Sequence, residues 1–304
     1  MVTFRYHIVS LVATFLALAG GIALGAGPLQ EPVRGQLAAT GNADGDATEL
    51  AARLEAAERL GSFQSDYGAG TAPLVLDGRL DRTSVCLVVL PGADAGTVRA
   101  IEADLALADA NLVSRVTLSA DLVDPAGRQL AEGLAQRVLA RVEGADVAEG
   151  ATSYSLVGAA LARAFLTRST EAVTQDSAAE SIDAAFVEAA LLQVGAVEGR
   201  AELALVVAGA PDPAAPEGQD AAAAQLVGGL DRYAGGAVVV GPPDSGVVAA
   251  VRDSSLGDGV TTVDAGQTPA GRVVSVLALT EQAAGGTGHY GLDAADGALP
   301  DPAA

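Results

Sequence analysis

The stretch Ser84–Leu118, SVCLVVLPGADAGTVRAIEADLALADANLVSRVTL, decides how the larger part of this chain is read. Ser84–Leu90 is a short, continuous apolar run rich in β-branched residues and closed by Pro91-Gly92, the pattern of a strand buried on both faces. Ala95–Ala110 follows with Val98, Ile101, Leu105 and Ala108 at helical spacing, and Leu112–Leu118 is a second strand. Strand, helix and strand at this spacing make a parallel crossover unit, because parallel neighbours need a connection long enough to return along the sheet.

The same alternation continues toward the C-terminus. Helices are expected at Ala126–Val142, Ser155–Leu166 and Ala178–Val194, the last with Asp176 and Ser177 as N-caps. Strands are expected at Ala204–Ala208, Ala237–Val240 and Val260–Val263, with helices at Asp220–Tyr233, Ser245–Val251 (capped by Asp244) and Val273–Gln282. The fold class is therefore α/β: residues 71–291 form a parallel sheet flanked by helices. Leu292–Ala304 carries Pro300, Pro302, three Asp and no periodicity, and is expected to be disordered.

Upstream the pattern changes twice. Residues 28–70 read as a stalk, interrupted by Pro28, Pro32, Gly35 and Gly41–Asp46, with one helix from Thr48 to about Phe63 carrying Leu50, Leu54, Ala57 and Leu60 as a stripe. Ile8–Gly27 is 20 residues without a charge. At about 1.5 Å per residue such a helix is roughly as long as a bilayer core is thick. Residues 1–27 are accordingly expected to be a single membrane anchor, with a cytoplasmic N-terminus and an exported remainder. A cleavable signal peptide is the competing reading, since Ala23-Leu24-Gly25 and Gly25-Ala26-Gly27 are small-x-small steps. The length of the run and the lone Arg5 before it favour retention. Ala13, Ala17, Gly21 and Gly25 recur every fourth residue and would let two such helices pack closely, so self-association is expected there.

Composition excludes several roles. The net charge is −21 and all 17 basic residues are Arg, which makes nucleic acid and anionic headgroups poor partners for the globular part. A single cysteine, Cys86, rules out an intrachain disulfide, and its place in an apolar strand makes it a small core residue. Soft metal sites draw on Cys, Met and His. Here Cys86, Met1, His7 and His289 are scattered, and no clustered copper site is written. Gly286-Thr287-Gly288-His289-Tyr290-Gly291 matches a dinucleotide fingerprint by letters, but an acidic tail follows it where the fingerprint needs a helix. No Walker A loop, nucleophile elbow, C-x-x-C or H-E-x-x-H is present, and His289 alone could serve a triad, from a glycine-rich loop without rigid support. The chain is not expected to be an enzyme, and no cofactor is evident.

Phe4-Arg5-Tyr6-His7-Ile8-Val9-Ser10-Leu11, the following FLALAGGIALGAGPL, Thr262-Val263-Asp264, Thr268–Arg272, Val276–Leu279 and Gly286–Gly291 resemble the actinobacterial MctB-type copper transporter family. The resemblance implies an envelope protein in copper export and homeostasis, with copper as a transported ligand, and a coiled-coil stalk behind the anchor. It equally implies an alternative role as a non-enzymatic regulator of peptidoglycan hydrolysis and cell separation, acting through a cell-envelope protein partner. A pore would require several spans or a closed barrel. One span and short buried strands point instead to an anchored domain that binds a partner or regulates export.

Overall fold

The computed structural model describes residues 43–142, 151–170, 173–195 and 197–300. The chain divides into two compact units, Met1–Ser62 and Phe63–Ala304. The expected anchor, with Ala13, Ala17, Gly21 and Gly25, lies outside the described residues, and no described helix is long and apolar enough to cross a membrane.

Helix α1 (Ala43–Leu76) is longer at both ends than the expected Thr48–Phe63 element. In the first unit Leu50, Leu54 and Leu60 are exposed. At the other end burial overrides Gly68, Gly70 and Pro73: Ala72 and Leu76, with Leu80 just beyond, enter the core of the second unit. Gly68 lets α1 press against the backbone of Ala270, since a Cβ there would sit 3.2 Å from its nitrogen.

The elements that follow are β1 (Ser84–Val89), α2 (Ala95–Leu107), β2 (Asn111–Leu118), a single turn α3 (Ala120–Val123), α4 (Arg128–Leu139), α5 (Ser153–Phe165), α6 (Ser177–Glu188) and β3 (Leu192–Val194). Then come β4 (Leu203–Val207), α7 (Gln219–Tyr233), β5 (Gly236–Val240), α8 (Gly246–Arg252), a 3₁₀ turn (Ser255–Asp258), β6 (Thr261–Val263), α9 (Pro269–Ala283) and β7 (His289–Tyr290). These strands form one sheet in the order β3-β2-β1-β4-β5-β6-β7. All neighbours are parallel except β2 and β3. The α/β reading with a parallel-dominated, helix-flanked sheet thus holds.

Alternation along the central strands sorts the core into two layers. Val85, Leu87, Val89, Leu203, Leu205, Val207, Val238 and Val240 face α1, α2 and α9. Cys86, Val88, Ala204, Val206, Ala237 and Val239 face the side covered by α4 to α8. The small side chains on that second face are matched by a close helix pair. A Cβ at Gly158 of α5 would lie 2.1 Å from the carbonyl oxygen of Leu226 in α7, so even alanine would force the two helices apart.

Several expected boundaries are corrected. The helix expected at Ala178–Val194 ends at Glu188, because Ala190 adopts a left-handed φ of 56° and Leu192 then joins the sheet as β3. The cap of α8 is Ser245 in place of Asp244, and its side chain makes no capping hydrogen bond. Helix α9 starts earlier than Val273, with Thr268 accepting from the Gly271 N–H at 3.0 Å and Pro269 pre-set for the first turn. Of the stretch from Leu292 expected to be disordered, the part to Gly297 makes hydrogen bonds: the Leu292 and Asp293 N–H groups donate to Asp264, and Gly291 N–H to the Gly297 carbonyl. Residues 301–304 of that expectation lie outside the described ones.

Candidate functional site

From β1 the chain winds to β2 on one side, and β4 and β5 continue on the other, so the sheet order reverses between β1 and β4. In open α/β sheets the crevice at the carboxyl ends of the strands at such a point is where ligands bind. Here it is a cavity of about 200 Å³ lined by Gly92, Asp94, Thr97, Gly209, Gly241 and Gln267, among others. Its walls are close together: a Cβ at Gly209 would come within 2.4 Å of the Gly92 carbonyl.

The start of α2, which would otherwise offer free N–H groups to an anion, is already filled by the protein. Asp94 accepts from the Thr97 N–H at 2.6 Å and from its hydroxyl at 3.0 Å. The Thr97 N–H and hydroxyl hold the Asp94 carboxyl below its ordinary range, so it stays charged. A phosphate approaching this terminus would meet a carboxylate in its place. The crevice can seat a small group against backbone, but its side chains supply no nucleophile beside a base.

A second polar cluster forms where β6 and β7 end. Arg252, the last residue of α8, donates to Thr262 Oγ1 at 2.7 Å, Asp264 Oδ2 at 2.8 Å, the Tyr290 carbonyl at 3.0 Å and the Asp293 carbonyl at 3.3 Å. Asp264 is fully buried and also accepts from the Leu292 and Asp293 N–H groups at 2.6 and 3.1 Å. Burial works to raise the Asp264 carboxyl, but the hydrogen bonds from Arg252, Leu292 and Asp293 outweigh it and hold the group below its ordinary range. Every partner is spoken for, and the arrangement ties α8, β6, β7 and the C-terminal segment together.

His289 belongs to this cluster and not to an unsupported loop, which corrects the earlier expectation. It lies in β7, paired with Thr262, and its Nδ1 is 2.9 Å from Thr262 Oγ1. Burial, together with the charge of Arg252, lowers its pKa and keeps the ring neutral near pH 7. Gly286–Gly288 lead into β7 and Gly291 follows it; among the described residues no helix comes after, so the letters of the dinucleotide fingerprint carry no phosphate cradle there.

Cys86 is fully buried in the middle of β1, and burial pushes its thiol up to about 12. It is far from His289 in the sheet order, with β4, β5 and β6 between β1 and β7. Among the described residues no three His, Cys, Asp or Glu side chains are grouped to hold a metal ion. His7 and Met1 lie outside them. Arg252 was not signalled by any motif: its partners are 10 to 41 residues downstream, and only the fold brings them together.

A family model described as MctB, copper transport outer membrane protein, matches residues 1–300. No curated protein matches the chain.

Proposed function

The chain belongs to the MctB family of copper transport outer membrane proteins, and on that premise we propose that it acts in copper export and homeostasis as an anchored envelope protein whose α/β unit contacts a partner. The observation that carries the reading is the extent of the family match, which takes in both the apolar N-terminal run and the whole α/β unit. The family's name is that of a transport protein, not of a catalyst.

In this reading Ile8–Gly27 spans the cell membrane once, the N-terminus is cytoplasmic, and the α/β unit is extracytoplasmic. Ala13, Ala17, Gly21 and Gly25 form the face through which two anchors associate. Copper is cargo, handled by an assembly and not held in the α/β unit. Two features support that division. The one soft sulfur of the described residues is a buried thiol at about 12, far from the thiolate that Cu(I) prefers. The sheet is covered by helices on both faces, whereas a lipid-facing barrel alternates apolar and polar residues along longer antiparallel strands.

The test is a gene deletion scored for cell copper and for septum or chaining defects. The proposal expects raised cell copper with normal separation. Chaining with normal copper would replace it by the second role, regulation of peptidoglycan hydrolysis through a protein partner.

A further inference from the structure

At the amino-terminal end of the sheet, opposite the crevice, the end of α5 is laced to the residues that lead into β4. Ala201 N–H donates to the Phe165 carbonyl and Thr167 N–H to the Ala201 carbonyl, each at 2.8 Å. Arg200 and Val173 exchange backbone hydrogen bonds of 2.7 and 3.3 Å. This lacing brings Arg163 of α5 and Arg200 to the same place as Asp176, the N-cap of α6.

The charges there do not balance. Arg163 Nη2 pairs with Asp176 Oδ2 at 2.7 Å, while the other Asp176 oxygen accepts from the Ala179 N–H at 2.9 Å. Arg200 makes no ion pair with any described residue, and burial with the neighbouring Arg163 charge lowers its pKa. Arg163 Nη1 and Arg200 Nε are both buried and have no hydrogen-bond partner among the described residues. Two guanidinium groups therefore share one carboxylate, leaving one positive charge and two desolvated donors. Such donors are costly to leave unmade, and guanidinium forks match carboxylate and phosphate oxygens. The chain as a whole carries −21 and repels anions, so any attraction must come from this local pair.

We propose that Arg163 and Arg200 form an oxyanion-binding site that takes the carboxylate or phosphate group of a ligand at the amino-terminal edge of the sheet. The inference is independent of the copper reading, since neither arginine nor Asp176 enters it.

The test is the thermal midpoint of the purified full-length protein titrated with inorganic phosphate and with succinate, at matched ionic strength against sodium chloride. A midpoint that rises and saturates with phosphate identifies a phosphate site, and one that does so with succinate a carboxylate site. Arg200→Gln, which leaves the Arg163–Asp176 pair intact, should weaken the apparent affinity by about tenfold or more. Arg137→Gln, at an exposed arginine of α4, should keep it. Arg200→Lys, with unchanged circular dichroism, separates loss of the fork from loss of folding. An unresponsive wild type, or an equal rise in Arg200→Gln, overturns the site.

Discussion

Arg252 and Asp264 meet at 2.8 Å with the carboxylate fully buried and the guanidinium side chain only 16% exposed. A buried pair of this kind is not in itself a source of stability, but removing one partner strands the other charge without solvent. Because Arg252 also holds Thr262 and the carbonyls of Tyr290 and Asp293, the loss would spread to β7 and to the segment after it.

Arg252→Ala and Asp264→Ala are each expected to lower unfolding free energy by about 3–5 kcal/mol, and the double variant by less than the sum. Urea denaturation of the four proteins of the cycle measures this. Additive losses would show that the pair does not act as a unit.

Acid sensitivity follows from the same contacts. The folded pKa of Asp264 is depressed, so its contribution is present above the unfolded value of about 3.9 and disappears as pH falls through the lower folded one. Asp176, lowered to about 2 first by Arg163 and then by the Ala179 N–H, acts over the same window. His289, whose pKa is also lowered, begins to lose stability earlier, below its ordinary value of about 6.5. In stability measured from pH 7 to pH 2 the His289 contribution should therefore be lost first and those of Asp264 and Asp176 later, against an opposing gain from Asp183, Glu202 and Asp231, whose carboxyls burial raises. Asp264→Asn should remove part of the later loss and leave the earlier one.

Cys86 should be inert while the protein is folded. With its thiol near 12 and no solvent contact, alkylation by iodoacetamide at pH 8 should require global opening and quicken in step with added urea. Rapid labelling in the native state would mean that β1 opens locally. The same burial predicts that Cys86→Ser leaves Cu(I) binding by the full-length protein unchanged, as read by competition with a colorimetric chelator.

The proposed anchor has its own test. Gly21→Leu with Gly25→Leu should weaken self-association of the helix in a membrane two-hybrid assay while insertion persists, since Leu raises apolarity but blocks close backbone approach. An unchanged signal would leave the small-residue ridge as composition alone.

Much of the sheet was legible because its strands are short, apolar and punctuated. Pro91-Gly92 after β1 and Gly241-Pro242-Pro243 after β5 mark their ends, and the helices between carry Val98, Ile101 and Leu105 or similar stripes. Strands β3 and β7, of three and two residues, are too brief for any periodicity to register. The extension of α1 past Pro73 was hidden because local propensity argues against it; burial of Leu76 and Leu80 decides the matter, and burial is a property of the whole fold. The Arg252 cluster was hidden for the same reason. Acidic residues and prolines near the C-terminus suggest disorder when read locally, whereas Asp264 in fact gathers the N–H groups of Leu292 and Asp293. The Arg163–Asp176–Arg200 group likewise depends on backbone lacing between segments far apart in sequence.

On the proposed reading copper is handled without being ligated by the α/β unit, and cell copper in the deletion strain complemented by the Cys86→Ala protein measures this. Complementation should return cell copper to the level given by the wild-type gene. Copper that stays at the deletion level, with the variant protein present in normal amount, would contradict it.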